Sequence, residues 1–99
     1  MEIRLKKFKS QLTVELEGRL DILTSPELEE KLMPALEGID KLIFDLAELQ
    51  FISSAGLRVI LSALKILDAR GGTMTVKNAS ENIKKVFKLT GFISVIDFK

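Results

Sequence analysis

Lys41-Leu42-Ile43-Phe44-Asp45-Leu46 is a short apolar run, typical of a central strand that is covered on both faces. We expect a loop over residues 47–53 and then an amphipathic helix that extends from Ser54 or Ala55 to Arg70. The apolar residues of this helix recur at helical spacing and form one main stripe, which consists of Leu57, Ile60, Leu61, Leu64 and Leu67. A buried strand that leads into an amphipathic helix indicates an α/β fold.

Two segments nearer the N-terminus alternate apolar and polar residues. They are Ile3-Arg4-Leu5-Lys6 and Leu12-Thr13-Val14-Glu15-Leu16-Glu17, and a period of two over each segment predicts a half-buried strand. Lys9-Ser10 is the expected reversal between the two strands. The second strand should stop at Gly18, so that Gly18-Arg19-Leu20-Asp21 forms a loop.

A first helix should follow this loop. Thr24 and Glu27 have the spacing of a capping box, and Pro26 lies where the backbone N–H has no helical partner. The helix buries one stripe, formed by Leu28, Leu32 and Leu36. An interior proline breaks a helical hydrogen bond, so Pro34 predicts a kink near residues 30–34 or an early end.

Gly71 and Gly72 mark the end of the second helix, because glycine accepts the left-handed backbone found at helix termini. Thr73-Met74-Thr75-Val76-Lys77 then predicts a strand. Ile93-Ser94-Val95-Ile96-Asp97-Phe98 predicts a last strand.

A third helix should separate these last two strands. Ser80 or Asn78 caps it, Gly91 closes it, and its inward residues are Ile83, Val86, Phe87 and Thr90. The complete order is β-β-α-β-α-β-α-β. A hairpin followed by βαβ units predicts a small mixed sheet with helices packed on it, its later strands parallel and connected in the right-handed sense. Neither glycine-rich phosphate-binding motif occurs, so a Rossmann domain or P-loop is not indicated.

The composition excludes most enzyme chemistry. The chain has 99 residues, enough for one domain over residues 1–99. Without cysteine or histidine it lacks disulfides, thiolates, the usual general base and the commonest metal ligand. We therefore expect no catalytic residue, no metal and no cofactor. The 15 basic and 14 acidic side chains nearly cancel, which argues against nucleic-acid binding.

No segment suits a membrane or export. The longest uncharged run, from Leu49 to Leu57, is less than half of a membrane span. The residues after Met1 are charged and alternating, unlike the continuous apolar stretch of a signal peptide. We expect a cytoplasmic protein that does not insert into membranes.

Phe51-Ile52-Ser53-Ser54-Ala55-Gly56-Leu57 places two hydroxyl groups at the start of the second helix. Free N–H groups and the positive end of the helix dipole suit a phosphate there. The local chemistry by itself favours the simpler interpretation, that Ser53 or Ser54 is only a helix cap. A serine hydrolase is not indicated, because no histidine exists to take a proton from Ser54 and no desolvated lysine is identifiable.

The same segment, together with Asp45-Leu46 before it, resembles the signature of the STAS domain family, and more narrowly of the bacterial anti-sigma factor antagonists. Three further pieces are in register with that family: a loop after the second strand, a glycine pair, and a third helix with a terminal glycine. Here they are Gly18-Arg19-Leu20-Asp21, Gly71-Gly72 and Ile83-Lys84-Lys85-Val86-Phe87-Lys88-Leu89-Thr90-Gly91-Phe92. The likeness covers essentially the whole chain and implies a STAS-like fold.

The resemblance implies a partner-switching protein rather than an enzyme. In that family the unmodified antagonist binds an anti-sigma factor that is also a serine kinase, and the sigma factor is released. The kinase phosphorylates the antagonist, which dissociates, and a metal-dependent serine phosphatase resets it. By position the phosphoacceptor is Ser54, with Ser53, which replaces the family's usual aspartate, as the second candidate. Asp21 lies on the loop expected to contact the kinase.

The resemblance also indicates where the partner docks. We expect contacts at the start of the second helix and along its outward strip, at Ser53, Ala55, Gly56, Arg58 and Ser62, with Lys65 beside them. This strip is equally typical of an ordinary solvated helix face. Small residues at positions 55 and 56 should leave the Ser54 hydroxyl open, so that valine at Gly56 would impair docking more than folding.

An alternative function keeps the fold without the switch. STAS modules also serve as unphosphorylated adaptors in signalling or lipid-transport complexes. Besides Ser53, two features of the chain depart from the family pattern: Pro34, and the lack within residues 1–99 of the fourth helix with which many members end.

Overall fold

The computed structural model describes residues 1–91 and 93–99, except for the side chain of Ile93. Within these residues five strands and three α-helices are found: β1 (Glu2–Phe8), β2 (Gln11–Leu20), α1 (Ser25–Ala35), β3 (Lys41–Ile52), α2 (Ser54–Ala69), β4 (Thr73–Lys77), α3 (Glu81–Lys88) and β5 (Asp97–Phe98). The strands lie in the sheet in chain order, with β1 antiparallel to β2 and every other pair parallel. The predicted element order and the mixed sheet with parallel later strands are confirmed.

The helices cover one face of the sheet. Alternate strand residues are fully buried and join one apolar cluster with residues of all three helices; the strand residues are Leu12, Val14, Leu16, Leu42, Phe44, Leu46, Met74 and Val76. Ile43, in the middle of β3, is only half-buried between Thr13 and Thr75 on the opposite face. The prediction that this strand is covered on both faces is therefore wrong, because an apolar run does not reveal whether a second layer exists.

Charged side chains pair on the uncovered face at the β1 side of the sheet. The Arg4 guanidinium contacts three carboxylates, those of Glu2 at 2.8 Å, Glu15 at 3.1 Å and Glu17 at 3.1 Å. The Lys6 Nζ lies 3.2 Å from a carboxylate oxygen of Glu15. Hydrogen bonds from Arg4 first and then from Lys6 hold the pKa of Glu15 below its ordinary value. Opposite charges in neighbouring strands thus hold the edge strand in register.

Two predicted loops are largely strand. β2 continues through Gly18 to Leu20, and β3 continues to Ile52. The register between them shifts twice, between Glu15 and Glu17 and again after Gly18, where φ is +106°. These bulges replace the period of two by buried residues spaced three apart, at Leu46, Leu49 and Ile52. Because of this spacing the sequence did not reveal where β2 and β3 end, and both strands reach the start of α2.

The stripe of α1 is confirmed, but its capping box is wrong. Leu28, Leu32 and Leu36 are buried, and Pro26 lies in the first turn. Thr24 has helical backbone angles and makes no side-chain cap bond; its hydroxyl instead donates to the Arg19 carbonyl oxygen at 2.8 Å. The helix ends at Ala35, directly after Pro34, which matches the predicted early end.

The bounds of α2 and β4 are confirmed. α2 begins at Ser54 and ends at Ala69, and Gly71 then takes the left-handed conformation with φ +74°. Its buried residues are Gly56, Leu57, Val59, Ile60, Ala63, Leu64 and Leu67, whereas Leu61 of the predicted stripe is half-buried. β4 covers the predicted residues Thr73–Lys77.

Ser80 rather than Asn78 caps α3, with its side chain accepting from the Ile83 N–H at 3.3 Å. Thr90 lies beyond the helix, which ends at Lys88. The last strand is shorter than predicted, since residues 93–95 form a 3₁₀ turn. β5 still brings Phe98 edge-on to Phe87, with ring centroids 5.6 Å apart. Phe92, part of the family-like segment, lies outside the described residues.

Arg70 joins the far end of α2 to the connection after α1. Its Nη1 donates to the carbonyl oxygen of Leu36 at 2.6 Å and to that of Ile39 at 3.0 Å. Leu36 is the C-cap of α1, and its carbonyl oxygen also accepts the Ile39 N–H at 3.1 Å, so the guanidinium adds a second donor at the end of the helix. The two helices are therefore connected at the end remote from Ser54.

Replacing Arg70 with alanine should lower the free energy of unfolding by about 1–3 kcal/mol, because two carbonyls lose a charged donor. Urea unfolding measures the change. Lys31→Ala is the control, since it removes only the exposed pair with Glu27, whose charged atoms are 3.4 Å apart, and should cost less than about 0.5 kcal/mol. Equal losses in the two variants would contradict this role for Arg70.

Candidate functional site

The start of α2 lies where β2 and β3 end. Leu20 and Ile52 are the last paired residues of these strands. The Ser53 N–H donates to the Leu20 carbonyl oxygen at 2.8 Å, and the Ser53 hydroxyl accepts from the Gly56 N–H at 3.2 Å. Ser53 is therefore the helix cap. The sequence predicted that one of the two serines caps the helix, and that serine is Ser53.

Ser54 is the first residue of α2 and is exposed. Within residues 1–91 and 93–99 its hydroxyl has no hydrogen-bond partner. Ile52 and Gly56, which lie two positions before and after Ser54, are buried, so Ser54 is exposed between two buried residues. A hydroxyl placed in this way is open to modification by another protein.

Gly56 faces the interior of the domain. It is buried, and a Cβ added to it would lie 2.8 Å from Cδ2 and 3.0 Å from the carbonyl oxygen of Leu20, which is itself fully buried. The glycine is thus needed for close packing of α2 on β2. The prediction that valine at Gly56 would spare the fold is therefore wrong, because sequence alone does not show which way a small residue faces, whereas contact of Gly56 with a partner stays a prediction.

Asp21 shapes the turn between β2 and α1. Its Oδ1 accepts hydrogen bonds from the N–H of Leu23 at 3.0 Å and of Thr24 at 3.1 Å. The bond from the Thr24 N–H does most to hold the pKa of Asp21 below its ordinary value, and burial opposes it. Asp21 is half-buried and occupied within its own turn, so its carboxylate organises this loop.

The same turn exposes two apolar side chains that the sequence analysis missed. Ile22 is 74% exposed and Leu23 is 85% exposed. Their position beside a motif-bearing loop was the only available signal, because an apolar pair in a short loop has no periodicity. Exposed apolar residues grouped together are typical of interaction sites.

A groove of about 240 Å³ separates the first turns of α1 and α2. It brings together three predicted docking residues, Ala55, Arg58 and Ser62, with the β2–α1 turn; its other lining residues are Ile22, Ser25, Pro26, Glu29 and Val59. Arg58 is exposed, and the half-exposed Ser62 donates its hydroxyl to the Arg58 carbonyl oxygen at 2.9 Å. The outward strip is therefore not a uniform solvated face, since its first half borders a concave surface.

Phe51 and Arg19 lie on the strands that end at this site. The Arg19 guanidinium is 4.3 Å from the centroid of the Phe51 ring, which is 39% exposed. Such a cation–π pair fixes the arginine side chain on the surface. Sequence analysis did not identify this pair, because the two residues are distant in sequence and meet only through the β2–β3 register.

The described residues contain no group of three acidic, histidine or cysteine side chains placed to hold a metal ion. Among the described helices, none has both the length and the apolar character that crossing a membrane requires.

The model of the STAS domain family matches residues 2–99. The chain belongs to the STAS domain family. The anti-sigma-B factor antagonist of Bacillus subtilis (strain 168) is 29% identical over 97 residues, which are 98% of this chain and 89% of that protein. The protein of the same name from Staphylococcus epidermidis is 35% identical over 79 residues, 79% of this chain and 73% of that protein.

Solved structures show the same fold. The anti-sigma factor antagonist SpoIIAA in its unphosphorylated form matches with a TM-score of 0.83 at 22% identity, over 99% of this chain and 87% of that one. The phosphorylated Bacillus SpoIIAA matches with a TM-score of 0.81 at 22% identity, over 99% of this chain and 91% of that one. The STAS-like fold predicted from the motifs is confirmed.

Replacing each serine with alanine should distinguish the serine that caps α2 from the serine whose hydroxyl is exposed. Ser53→Ala should cost about 1 kcal/mol of unfolding free energy, because the Gly56 N–H loses its acceptor. Ser54→Ala should change stability by less than about 0.5 kcal/mol, as surface substitutions usually do. Chemical denaturation of both variants measures the difference. A larger loss at Ser54 would mean that its hydroxyl caps the helix in solution.

Gly56→Val should destabilise the domain by about 2–3 kcal/mol, since the added atoms overlap with Leu20. Ala69→Val, at the exposed end of the same helix, controls for the helix propensity of valine and should cost well under 1 kcal/mol. Thermal unfolding followed by circular dichroism compares them. If both variants melt together, the packing argument for Gly56 fails.

Proposed function

We propose that this chain is an anti-sigma factor antagonist whose binding is switched off by phosphorylation of Ser54. The observation that carries the proposal is the exposed Ser54 hydroxyl at the start of α2, which has no hydrogen-bond partner among the described residues. The names of the relatives from Bacillus subtilis and Staphylococcus epidermidis support the first part. SpoIIAA, which shares the fold, exists in unphosphorylated and phosphorylated forms.

The proposed partner is an anti-sigma factor that is also a serine kinase. It docks on what we call the Ser54 surface, made up of Ile22, Leu23, Ser54, Ala55, Arg58 and Ser62. This surface joins two exposed apolar side chains, a groove and a cation, the combination typical of the centre and rim of protein interfaces. Asp21 contributes by holding the turn that presents Ile22 and Leu23.

The kinase supplies the chemistry. The Ser54 Oγ attacks the γ-phosphorus of ATP, ADP leaves, and a base of the kinase accepts the hydroxyl proton. A serine phosphatase reverses the modification by hydrolysis, which gives back the Ser54 hydroxyl and inorganic phosphate. The chain itself therefore needs no histidine, no cysteine and no metal.

Phosphorylation changes the charge of the docking surface. It adds about 1.5 to 2 negative charges to a chain whose formal net charge is +1. In a tight interface this group must either find cationic partners or lose its hydration, and burying an unpaired charge is costly. The modified antagonist is then released.

Ser53 is the weaker of the two acceptor candidates. Its hydroxyl is half-buried and accepts the Gly56 N–H, so a kinase would have to break the helix cap to reach it. Ser54 can be modified without that loss. We further propose that residues 1–99 act as a single domain in the cytoplasm.

Incubation with ATP and an anti-sigma kinase encoded near this chain in its own genome tests the proposal. Tandem mass spectrometry should place one phosphate on Ser54, and Ser54→Ala should remain unmodified and bound to the kinase. Ser62→Ala, which alters another hydroxyl of the same surface, should still be phosphorylated. No phosphate, with a complex that persists in Ser54→Asp, would replace the switch by the adaptor function; phosphate on Ser53 would overturn the choice of acceptor.

A further inference from the structure

Ser54 and Arg58 lie one helical turn apart on α2, and both are exposed. Residues at positions i and i+4 of a helix have Cβ atoms about 5–6 Å apart. Side chains lean toward the N-terminus of their helix, so an arginine at position 58 can extend over the turn that contains Ser54. A negative group on Ser54 would be within reach of the Arg58 guanidinium.

Arg58 also differs from the other arginines of the chain. Arg4 contacts three carboxylates, Arg19 lies over the Phe51 ring, and Arg70 donates to two carbonyls. Arg58 alone among them has no ion pair, side-chain hydrogen bond or ring contact within the described residues. An exposed guanidinium without a partner is free to bind an anion bidentately.

The first turn of α2 carries no acidic side chain, whereas α1 has Glu27 and α3 has Glu81 at this place. The helix therefore lacks the negative charge that its dipole favours. A carboxylate that could compete for Arg58 is that of Glu29, which lines the same groove from α1 without forming an ion pair there. The Oδ1 of Asp21 accepts the N–H groups of its own turn.

We propose that Arg58 binds the phosphoryl group of phosphorylated Ser54 within the same chain. The inference rests on the proposed modification of Ser54 and adds how the switch works. In the unmodified antagonist the guanidinium is available to the partner at the groove. In the phosphorylated form it is drawn to the phosphate, so one modification both adds a negative group and removes a cation from the docking surface.

Phosphoserine incorporated directly at position 54 of the full chain by an expanded genetic code tests the proposal without a kinase. Titration followed by ³¹P NMR measures the second ionisation of the phosphate, whose ordinary pKa is about 6. Since a bound cation favours the dianion, this pKa should be lower in the parent chain than in Arg58→Gln by about half a unit or more. The phosphate pKa of Arg58→Lys should lie between the values of the parent chain and Arg58→Gln, because lysine binds as a point charge without the planar fork.

Arg19→Gln is the matched control. It removes another exposed arginine of the same end of the molecule, and it should leave the phosphate pKa unchanged. Circular dichroism verifies that each variant is folded, and Arg58→Lys keeps the comparison usable if glutamine disturbs α2. Equal pKa values in the parent, Arg58→Gln and Arg58→Lys chains would overturn the proposal, and so would a rise in Arg19→Gln alone.

Thermal unfolding gives a second, independent readout. Phosphoserine at position 54 should raise the unfolding midpoint of the parent chain by about 2–4 °C, and this gain should disappear in Arg58→Gln. A gain that persists in Arg58→Gln would assign it to the helix dipole alone and contradict the role of Arg58. Because no kinase is involved, this result stands apart from whether Ser54 is phosphorylated by the proposed partner.

Discussion

The contact between Gly56 and Leu20 positions the rest of the site. Only a residue without a side chain allows the first turn of α2 to lie against the end of β2, and the Ser53 N–H bond to the Leu20 carbonyl holds it there. Ser53 is then directed to cap the helix, and Ser54 is left outside. The exposed hydroxyl is a consequence of packing two residues further along the chain.

Much of the fold follows from periodicity. The leucines of α1 and the alternating residues of β2 were predicted as buried and are buried, since one face of each element meets the same core. Periodicity failed where the backbone departs from regular geometry. The bulges near Glu15 and Gly18 re-phase the β2–β3 pairing, and an apolar run such as that of β3 does not reveal that its second face is uncovered.

The candidate site, like the fold, was predicted only in part from the sequence. Ser54 was predicted as the acceptor from a motif, and the structure leaves its hydroxyl exposed. The packing of Gly56 and the turn-forming bonds of Asp21 were not foreseen, because each depends on a contact made only in the folded chain: the close approach of Leu20, and the N–H groups of the turn at Leu23 and Thr24. The Ile22 and Leu23 side chains carried no sequence signal, because exposure of an apolar loop is decided by how the neighbouring helices pack.

The different roles of the two serines determine how repeated phosphorylation and dephosphorylation would affect the proposed antagonist. Ser53 caps the helix and Ser54 contributes nothing to the core, so phosphorylation of Ser54 would leave the cap in place. A phosphate would therefore be added and removed without any helix or strand unfolding or forming again. The fold itself would then set no limit on how often the modification can be added and removed.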